Sequence, residues 1–115
     1  MPDILLKKEI IMMNLLKNMF GNSNTENLGT IIQEGAFLVD VRTPQEFAES
    51  KVNGSVNIPL DRVASHIDKF KGKKNIVVFC RSGNRSGQAK SILERNGITH
   101  VFNGGSVGNV KQYIK

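Results

Sequence analysis

The segment Ile76-Val77-Val78-Phe79 constrains the fold more than any other part of the sequence. Its residues favour β-structure and are continuously apolar, which is typical of a strand buried on both faces of a parallel sheet. Further short strands are predicted over residues 36–41, 54–57 and 100–102. Helices are predicted between and around them, over residues 25–34, 44–48, 61–70, 88–96 and 107–114. This alternation predicts an α/β fold, with helices on both faces of a mainly parallel sheet of four or five strands.

The chain of 115 residues is long enough for one hydrophobic core, which we place in a single domain over residues 25–115. Apolar residues recur at helical spacing over residues 1–20 and predict an amphipathic helix, which residues 21–24 join to the domain. This helix is expected to pack on the domain or on a second copy. A membrane-surface anchor and a later start of translation are the alternatives.

The net charge of +6 favours a small anionic ligand over nucleic acid. The lysines are scattered, and no aromatic residues are interleaved with them to stack bases. The apolar stretch over residues 10–16 is too short to span a bilayer, and the start of the chain does not resemble a signal peptide. We therefore expect a cytoplasmic protein without a membrane span or a nucleic-acid partner. Its oligomeric state stays open between monomer and homodimer.

Cys80 is the single cysteine, so it forms neither an internal disulfide nor a multi-thiolate metal site. It is either a buried small side chain or a reactive thiol. It lies at the predicted end of a central strand, where open parallel sheets place their sites. The residues that follow can supply inward-facing amides, a helix N-terminus and two cations, which together stabilise a thiolate. These residues are Arg81, Ser82, Gly83, Asn84, Arg85 and Ser86.

The segment from Cys80 to Ser86 resembles the active-site loop of the rhodanese family. Residues 38–47, 54–60 and 102–105 resemble three further signatures of that family in order and spacing, the last as a closing glycine turn. The resemblance implies a three-layer sandwich and a sulfurtransferase that carries sulfur on Cys80 as a persulfide. It also implies that amides over residues 81–86 hold the persulfide and that Arg81 or Arg85 recognises an anionic donor such as thiosulfate. Neither a metal nor an organic cofactor is implied.

A charged set at the end of the first strand is expected to support the active loop: Asp40, Arg42 and Glu46. We expect Asp40 and Arg42 to reach the loop and Glu46 to pair with Arg42. Glu46 belongs to a short helix that Pro44 begins and Thr43 caps. His66 and His100 lie outside the signatures and receive no role. Val107 stands where many family members have a tryptophan, which leaves the packing under the loop open.

Three other interpretations of function stay open. The domain could bind or regulate without turnover, although such modules are expected to lose the cysteine or an arginine of the loop. A phosphatase would use Cys-x5-Arg, whereas Cys80 and Arg85 give the shorter Cys-x4-Arg, which suits a sulfur atom better than a phosphoryl group. The physiological donor or acceptor could also be a protein in a sulfur relay, for which residues 1–20 would be a docking surface.

Overall fold

The computed structural model describes residues 23–114, so the helix predicted over residues 1–20 lies outside the described part. Five α-helices, one 3₁₀ segment and four strands follow one another in the described chain. The helices are α1 (Ser23–Gln33), α2 (Pro44–Glu49), α3 (Leu60–Val63), α4 (Asn84–Arg95) and α5 (Val107–Lys111), with the 3₁₀ segment Ala64–Phe70 after α3. The strands are β1 (Phe37–Asp40), β2 (Val56–Asn57), β3 (Ile76–Cys80) and β4 (Val101–Ser106).

The strands form one sheet in the order β2-β1-β3-β4, with every neighbouring pair parallel. The predicted parallel α/β sheet is therefore confirmed, with four strands over residues 23–114. The carboxyl ends of parallel strands share one edge of the sheet, and β3 lies between two neighbours. Asp40 at the end of β1 is in register with Phe79, next to Cys80 at the end of β3.

Helices cover both faces of the sheet and create two separate hydrophobic cores. One core lies under α3, the 3₁₀ segment and α4, and its buried members include Val63, Phe70, Val78, Cys80 and Leu93. The other lies under α1 and α5, and its buried members include Leu28, Ile32, Val77, Phe79 and Val110. Because successive β3 side chains enter opposite cores, every residue of this strand is buried. None of the helices in residues 23–114 is long and apolar enough to cross a membrane.

Several predicted helix boundaries differ from the structure. Helix α1 begins at Ser23, so the end of the predicted linker is already helical. The helix predicted over residues 61–70 splits into α3 and the 3₁₀ segment, with a non-helical backbone at His66 (φ −122°, ψ 28°). The His66 ring donates from Nδ1 to the carbonyl of Arg62 at 2.8 Å, so a side chain occupies an acceptor that a regular helix keeps for its backbone.

The glycine turn predicted at residues 104–105 is instead part of β4 and forms a β-bulge. Asn103 is in register with Val78 and Ser106 with Cys80, so β4 holds one more residue than β3 between these pairs. Gly105 has φ +79°, which glycine adopts without strain. Ser106 then caps α5, accepting a hydrogen bond from the Asn109 amide at 3.0 Å.

Replacing Gly104 with Ala tests how tightly the bulge is packed. A Cβ at this position would lie 2.8 Å from the side chains of both Val77 and Val110. Neither valine can rotate away without disturbing the core, so we expect a loss of about 1–3 kcal/mol in the free energy of unfolding. Gly108→Ala is the matched control, because its Cβ would meet nothing closer than Ser106 Oγ at 3.8 Å. Urea unfolding that shows Gly104→Ala to be as stable as Gly108→Ala would contradict this packing.

Candidate active site

Cys80 ends β3 and its side chain is fully buried, with 0% exposed. The chain then turns through Arg81 and Ser82 to Gly83, which has a left-handed backbone (φ +95°, ψ −9°). This conformation allows α4 to begin at once, at Asn84 rather than at the predicted residue 88. The residues predicted as the second half of a loop are therefore the first helical turn. We call residues 80–86 the cradle.

The cradle directs hydrogen-bond donors at the sulfur of Cys80. The Gly83 amide donates to Sγ at 3.0 Å and the Ser86 amide donates at 3.4 Å. The Ser86 hydroxyl lies 3.4 Å from the same sulfur. Donors at the N-terminus of a helix have no partner inside that helix, and they bind an anion more strongly than a neutral thiol. The arrangement is that of an anion-binding site around a sulfur atom.

Two opposing effects set the pKa of Cys80 below its ordinary value. Burial is the largest single effect and raises the pKa, because a thiolate loses its hydration inside the protein. The Ser86 hydroxyl, and then the amides of Ser86, Ser82 and Gly83, stabilise the thiolate and lower the pKa. The hydrogen bonds together outweigh burial. Cys80 is therefore more readily ionised than its buried position alone would allow.

Asn103 of β4 joins the cradle to the bulge, a role that the sequence interpretation missed. Its Nδ2 donates to the Gly83 carbonyl at 3.0 Å. Its Oδ1 accepts from the Ser86 hydroxyl at 2.7 Å and from the Gly105 amide at 2.9 Å. The only signal in the sequence is a side-chain amide placed directly before Gly104-Gly105. The spacing of residues 80 and 103 says nothing about this contact, because it depends on the pairing of β3 with β4.

Glu46 pairs with Arg85 of the cradle, not with Arg42 as predicted. The pair is bidentate, with Nη1–Oε1 at 2.7 Å and Nη2–Oε2 at 3.0 Å. Arg85 is the main cause that lowers the pKa of Glu46 to about 2, followed by the Thr43 amide. The predicted cap is confirmed, since Thr43 Oγ1 accepts from the Glu46 amide and the Glu46 side chain accepts from the Thr43 amide. This pair fastens α2 to the first turn of α4.

Asp40 and Arg42 bind each other and form no described hydrogen bond or ion pair with residues 80–86, so the predicted reach to the loop is not found among these contacts. Arg42 donates from Nε to Oδ1 at 2.9 Å and from Nη2 to Oδ2 at 2.6 Å, and both side chains are almost fully buried. Arg42 Nη2 also donates to the carbonyl of Ser50. Asn57 holds the backbone of the same segment, donating to the carbonyls of Asp40 and Arg42. These contacts shape the connection between β1 and α2.

Arg81 is the cation of the cradle that stays unpaired within the described chain. Its side chain is exposed and makes no hydrogen bond or ion pair with another residue of 23–114. Arg85, in contrast, has its charge balanced by Glu46. The sequence predicts that Arg81 and Arg85 both add positive charge at the sulfur, and Arg85 does so while paired, since Glu46 first and Cys80 as a smaller effect raise the pKa of its guanidinium. Within residues 23–114, no group of three or more His, Cys, Asp or Glu side chains is placed to hold a metal ion.

Among the cavities formed by residues 23–114, two open at this end of the sheet. One, of about 490 Å³, is lined by Arg85 and Gln88 of α4 among others. The other, of about 450 Å³, is lined by basic side chains including Arg62 and Lys69. Both share Thr43 as a lining residue, whereas Cys80 lines neither. Neither cavity therefore fixes the position of a reactant at the sulfur.

The chain belongs to the rhodanese-like domain family, whose sequence pattern it matches over residues 16–108. The solved structure of a rhodanese with anions from E. coli has the same fold, with a TM-score of 0.59 and 39% identity. That superposition covers 65% of this chain and 91% of the E. coli chain. The three-layer architecture expected from the resemblance is thus confirmed.

Two similar proteins carry the name thiosulfate sulfurtransferase. PspE of Escherichia coli (strain K12) is 40% identical over 74 residues, which cover 63% of this chain and 71% of PspE. GlpE of Pseudomonas syringae pv. syringae (strain B728a) is 34% identical over 77 residues, which cover 67% of this chain and 73% of GlpE. These relatives support a sulfurtransferase activity for the chain.

Replacing Glu46 with Gln tests the pair with Arg85, because Gln can still cap α2 but carries no charge. We expect the free energy of unfolding to fall by about 1–2 kcal/mol near neutral pH. The folded pKa of Glu46, about 2, lies below its ordinary value of 4.5, so the stabilisation is complete above pH 4.5 and is lost as the pH falls toward 2. Urea unfolding of both proteins between about pH 7 and pH 3 measures this difference. A difference that stays constant on acidification would contradict the pairing.

The ionisation of Cys80 can be measured directly, because the chain contains one cysteine. We expect the rate of alkylation by iodoacetamide to rise with a midpoint below the free-cysteine value of about 8.5. The same protein unfolded in urea is the matched control, since it keeps the thiol and loses the cradle. Coincident midpoints for folded and unfolded protein would show that the cradle does not stabilise a thiolate.

Proposed function

We propose that the protein is a thiosulfate sulfurtransferase that carries sulfane sulfur on Cys80 as a persulfide. The observation that carries the proposal is the convergence of the Gly83 amide, the Ser86 amide and the Ser86 hydroxyl on one sulfur atom. A structural cysteine needs no such donors, since a thiol is a weak acceptor. A thiolate or a persulfide anion, in contrast, requires them inside a protein. The relatives named thiosulfate sulfurtransferase point to the same chemistry.

In the first step, the Cys80 thiolate attacks the outer sulfur of thiosulfate. A bond forms between Sγ and that sulfur, the sulfur–sulfur bond of thiosulfate breaks, and its electron pair leaves with sulfite. The protein then holds a persulfide, whose outer sulfur takes over the negative charge. The outer sulfur lies about 2 Å from Sγ, the length of a sulfur–sulfur bond. The open N-terminal turn of α4, with amides over residues 81–86, is where we expect that charge to be held.

In the second step, an acceptor thiolate or cyanide attacks the outer sulfur and takes it away. The bond to Sγ breaks with its electron pair on Cys80, so the thiolate is restored. Over the whole cycle the oxidation state of Cys80 is unchanged. The chain has no second cysteine to receive the sulfur, so the acceptor is another molecule. It is either a small thiol or the thiol of a relay protein.

We assign recognition of the anionic donor to Arg81 rather than Arg85. Arg81 is exposed and bonds no other residue of 23–114, whereas Arg85 is bound on two nitrogens by Glu46. A guanidinium paired with a carboxylate belongs to a net-neutral pair, which attracts a dianion less strongly than an unpaired guanidinium does. Arg85 instead holds the first turn of α4 against α2. Its removal would affect the cradle through position as well as through charge.

Intact-mass spectrometry after incubation with thiosulfate tests the function. We expect a gain of one sulfur, roughly 32 Da, that cyanide or a thiol reverses. Sulfite should appear in the same amount as the persulfide, because one is released for each sulfur transferred. Cys80→Ser is the control, since it keeps the shape of the side chain and should gain no mass.

A folded protein that gains no sulfur from thiosulfate would overturn the assignment of thiosulfate as donor. A protein persulfide or a persulfidated small thiol then becomes the next donor to supply. If neither loads Cys80, the domain is a binding module. Hydrolysis of an aryl phosphate that Cys80→Ser abolishes would instead indicate a phosphatase.

A further inference from the structure

The hydroxyl of Ser86 lies between two competing acceptors. Its oxygen is 2.7 Å from Asn103 Oδ1 and 3.4 Å from Cys80 Sγ. A serine hydroxyl has one proton and can donate to only one of them at a time. When Cys80 is a thiol, its S–H can donate to the Ser86 oxygen while the Ser86 proton goes to Asn103. When Cys80 is a thiolate, the Ser86 hydroxyl can donate to the sulfur only if it gives up its hydrogen bond to Asn103.

The chemistry around Asn103 fixes which way its side chain points. Nδ2 faces the Gly83 carbonyl, which accepts, and Oδ1 faces the Gly105 amide, which donates. A flipped side chain would set two donors against each other at Gly105 and two acceptors against each other at Gly83. Oδ1 is therefore held toward Ser86 as an acceptor. Asn103 is exposed, and Oδ1 keeps the Gly105 hydrogen bond after the Ser86 hydroxyl turns away, so this acceptor still has a partner.

We propose that Asn103 is a positioning residue that governs the charge state of Cys80 through the Ser86 hydroxyl. Asn103 accepts the hydrogen bond of this hydroxyl while Cys80 is a thiol, and the hydroxyl turns to the sulfur when Cys80 is a thiolate. On ionisation the Cys80 proton passes to solvent. The Ser86 hydroxyl keeps its proton and rotates, so that its hydrogen bond moves from Asn103 Oδ1 to Cys80 Sγ, and no covalent bond between heavy atoms changes. The inference rests on the proposed function in taking Cys80 as the reacting group. Its consequence is that Asn103 limits how much thiolate is present before a sulfur donor arrives.

The charged groups near the sulfur are separate from Ser86 and Asn103. They are Arg81 and Arg85 of the cradle, Glu46 of α2, Asp40 at the end of β1 and Arg42 in the connection between β1 and α2. Arg85 is bound by Glu46, and Asp40 by Arg42. None of these five forms a described hydrogen bond with Ser86 or Asn103. They are unchanged in the variants below, so their influence on Cys80 cancels when those variants are compared.

A double-mutant cycle of Ser86→Ala and Asn103→Ala tests the proposal. The readout is the pH midpoint of Cys80 alkylation, which needs no sulfur donor. Asn103→Ala frees the Ser86 proton for the sulfur, which lowers the midpoint, and loosens the Gly83 carbonyl, which raises it. Only the second effect survives when Ser86 is absent. We therefore expect the shift caused by Asn103→Ala to be more acidic in the chain that keeps Ser86 than in the Ser86→Ala variant, by about half to one pH unit.

Asn103→Asp provides a second cycle in which the side chain keeps its size and gains a stronger acceptor. It also loses the Nδ2 donor to the Gly83 carbonyl, a loss that is the same with and without Ser86 and therefore cancels in the cycle. A carboxylate at this position repels the thiolate with or without Ser86, and it also holds the Ser86 proton more tightly. The upward shift should therefore be larger with Ser86 than without it. The two cycles thus have couplings of opposite sign, which a general loosening of the cradle does not produce. Couplings of the same sign, or none in either cycle, would overturn the proposal.

Asn109→Ala is the matched control. Asn109 is a second asparagine at the same bulge, and it donates to the Gly104 carbonyl at 2.7 Å without contacting Ser86 or Gly83. We expect its substitution to show no coupling to Ser86→Ala. The outcomes separate this proposal from the proposed function. Persulfide formation without coupling removes only the role of Asn103, whereas coupling without persulfide formation leaves that role and removes the sulfurtransferase.

Discussion

The approach of the Gly83 amide to the sulfur of Cys80 is the contact on which the site depends. It exists because the chain leaves the central strand and reverses within Arg81-Ser82-Gly83, and a left-handed backbone at Gly83 makes that reversal short enough. A side chain at Gly83 would be strained there and would also approach the bulge, at 3.5 Å from Gly105 Cα. The helix that follows then starts with its unpaired amides beside the sulfur. Strand, turn and helix thus act as one anion-binding unit.

The ionised side chains around this unit act mainly through the positions they hold. Arg42 neutralises Asp40 inside the protein, and Arg85 neutralises Glu46 at its edge. The first pair shapes the connection after β1, and the second ties α2 to α4. Each pair fixes the relative position of the segments it joins. It adds little electric field at the sulfur, because its two opposite charges largely cancel at a distance. The stabilisation of the sulfur anion therefore comes chiefly from peptide and hydroxyl dipoles close to it.

The sequence predicts the architecture and the reacting residue but not the partners of the polar side chains. Continuous apolar character identifies β3, and its end identifies Cys80, because both signals are local. The predicted start of α4 is late by one helical turn. The sequence Ser82-Gly83-Asn84 is typical of a loop, and only the left-handed backbone of Gly83 shows that the helix begins directly after it. The predicted partner of Glu46 is wrong, because the short spacing along the chain favours Arg42. The fold instead brings Arg85 to Glu46 from another helix. Asn103 was missed for the same reason, as its contacts cross from β4 to α4.

The bulge in β4 makes the length of this segment matter as well as its residue types. On one side of the bulge, Asn103 must face the cradle in register with Val78. On the other side, Ser106 must stand at the start of α5, whose Val110 fills the opposite core. The single extra residue between them reconciles these two demands. Insertion or deletion of one residue there would reverse the face on which one of them points. Homologous chains should therefore keep the number of residues in this stretch constant.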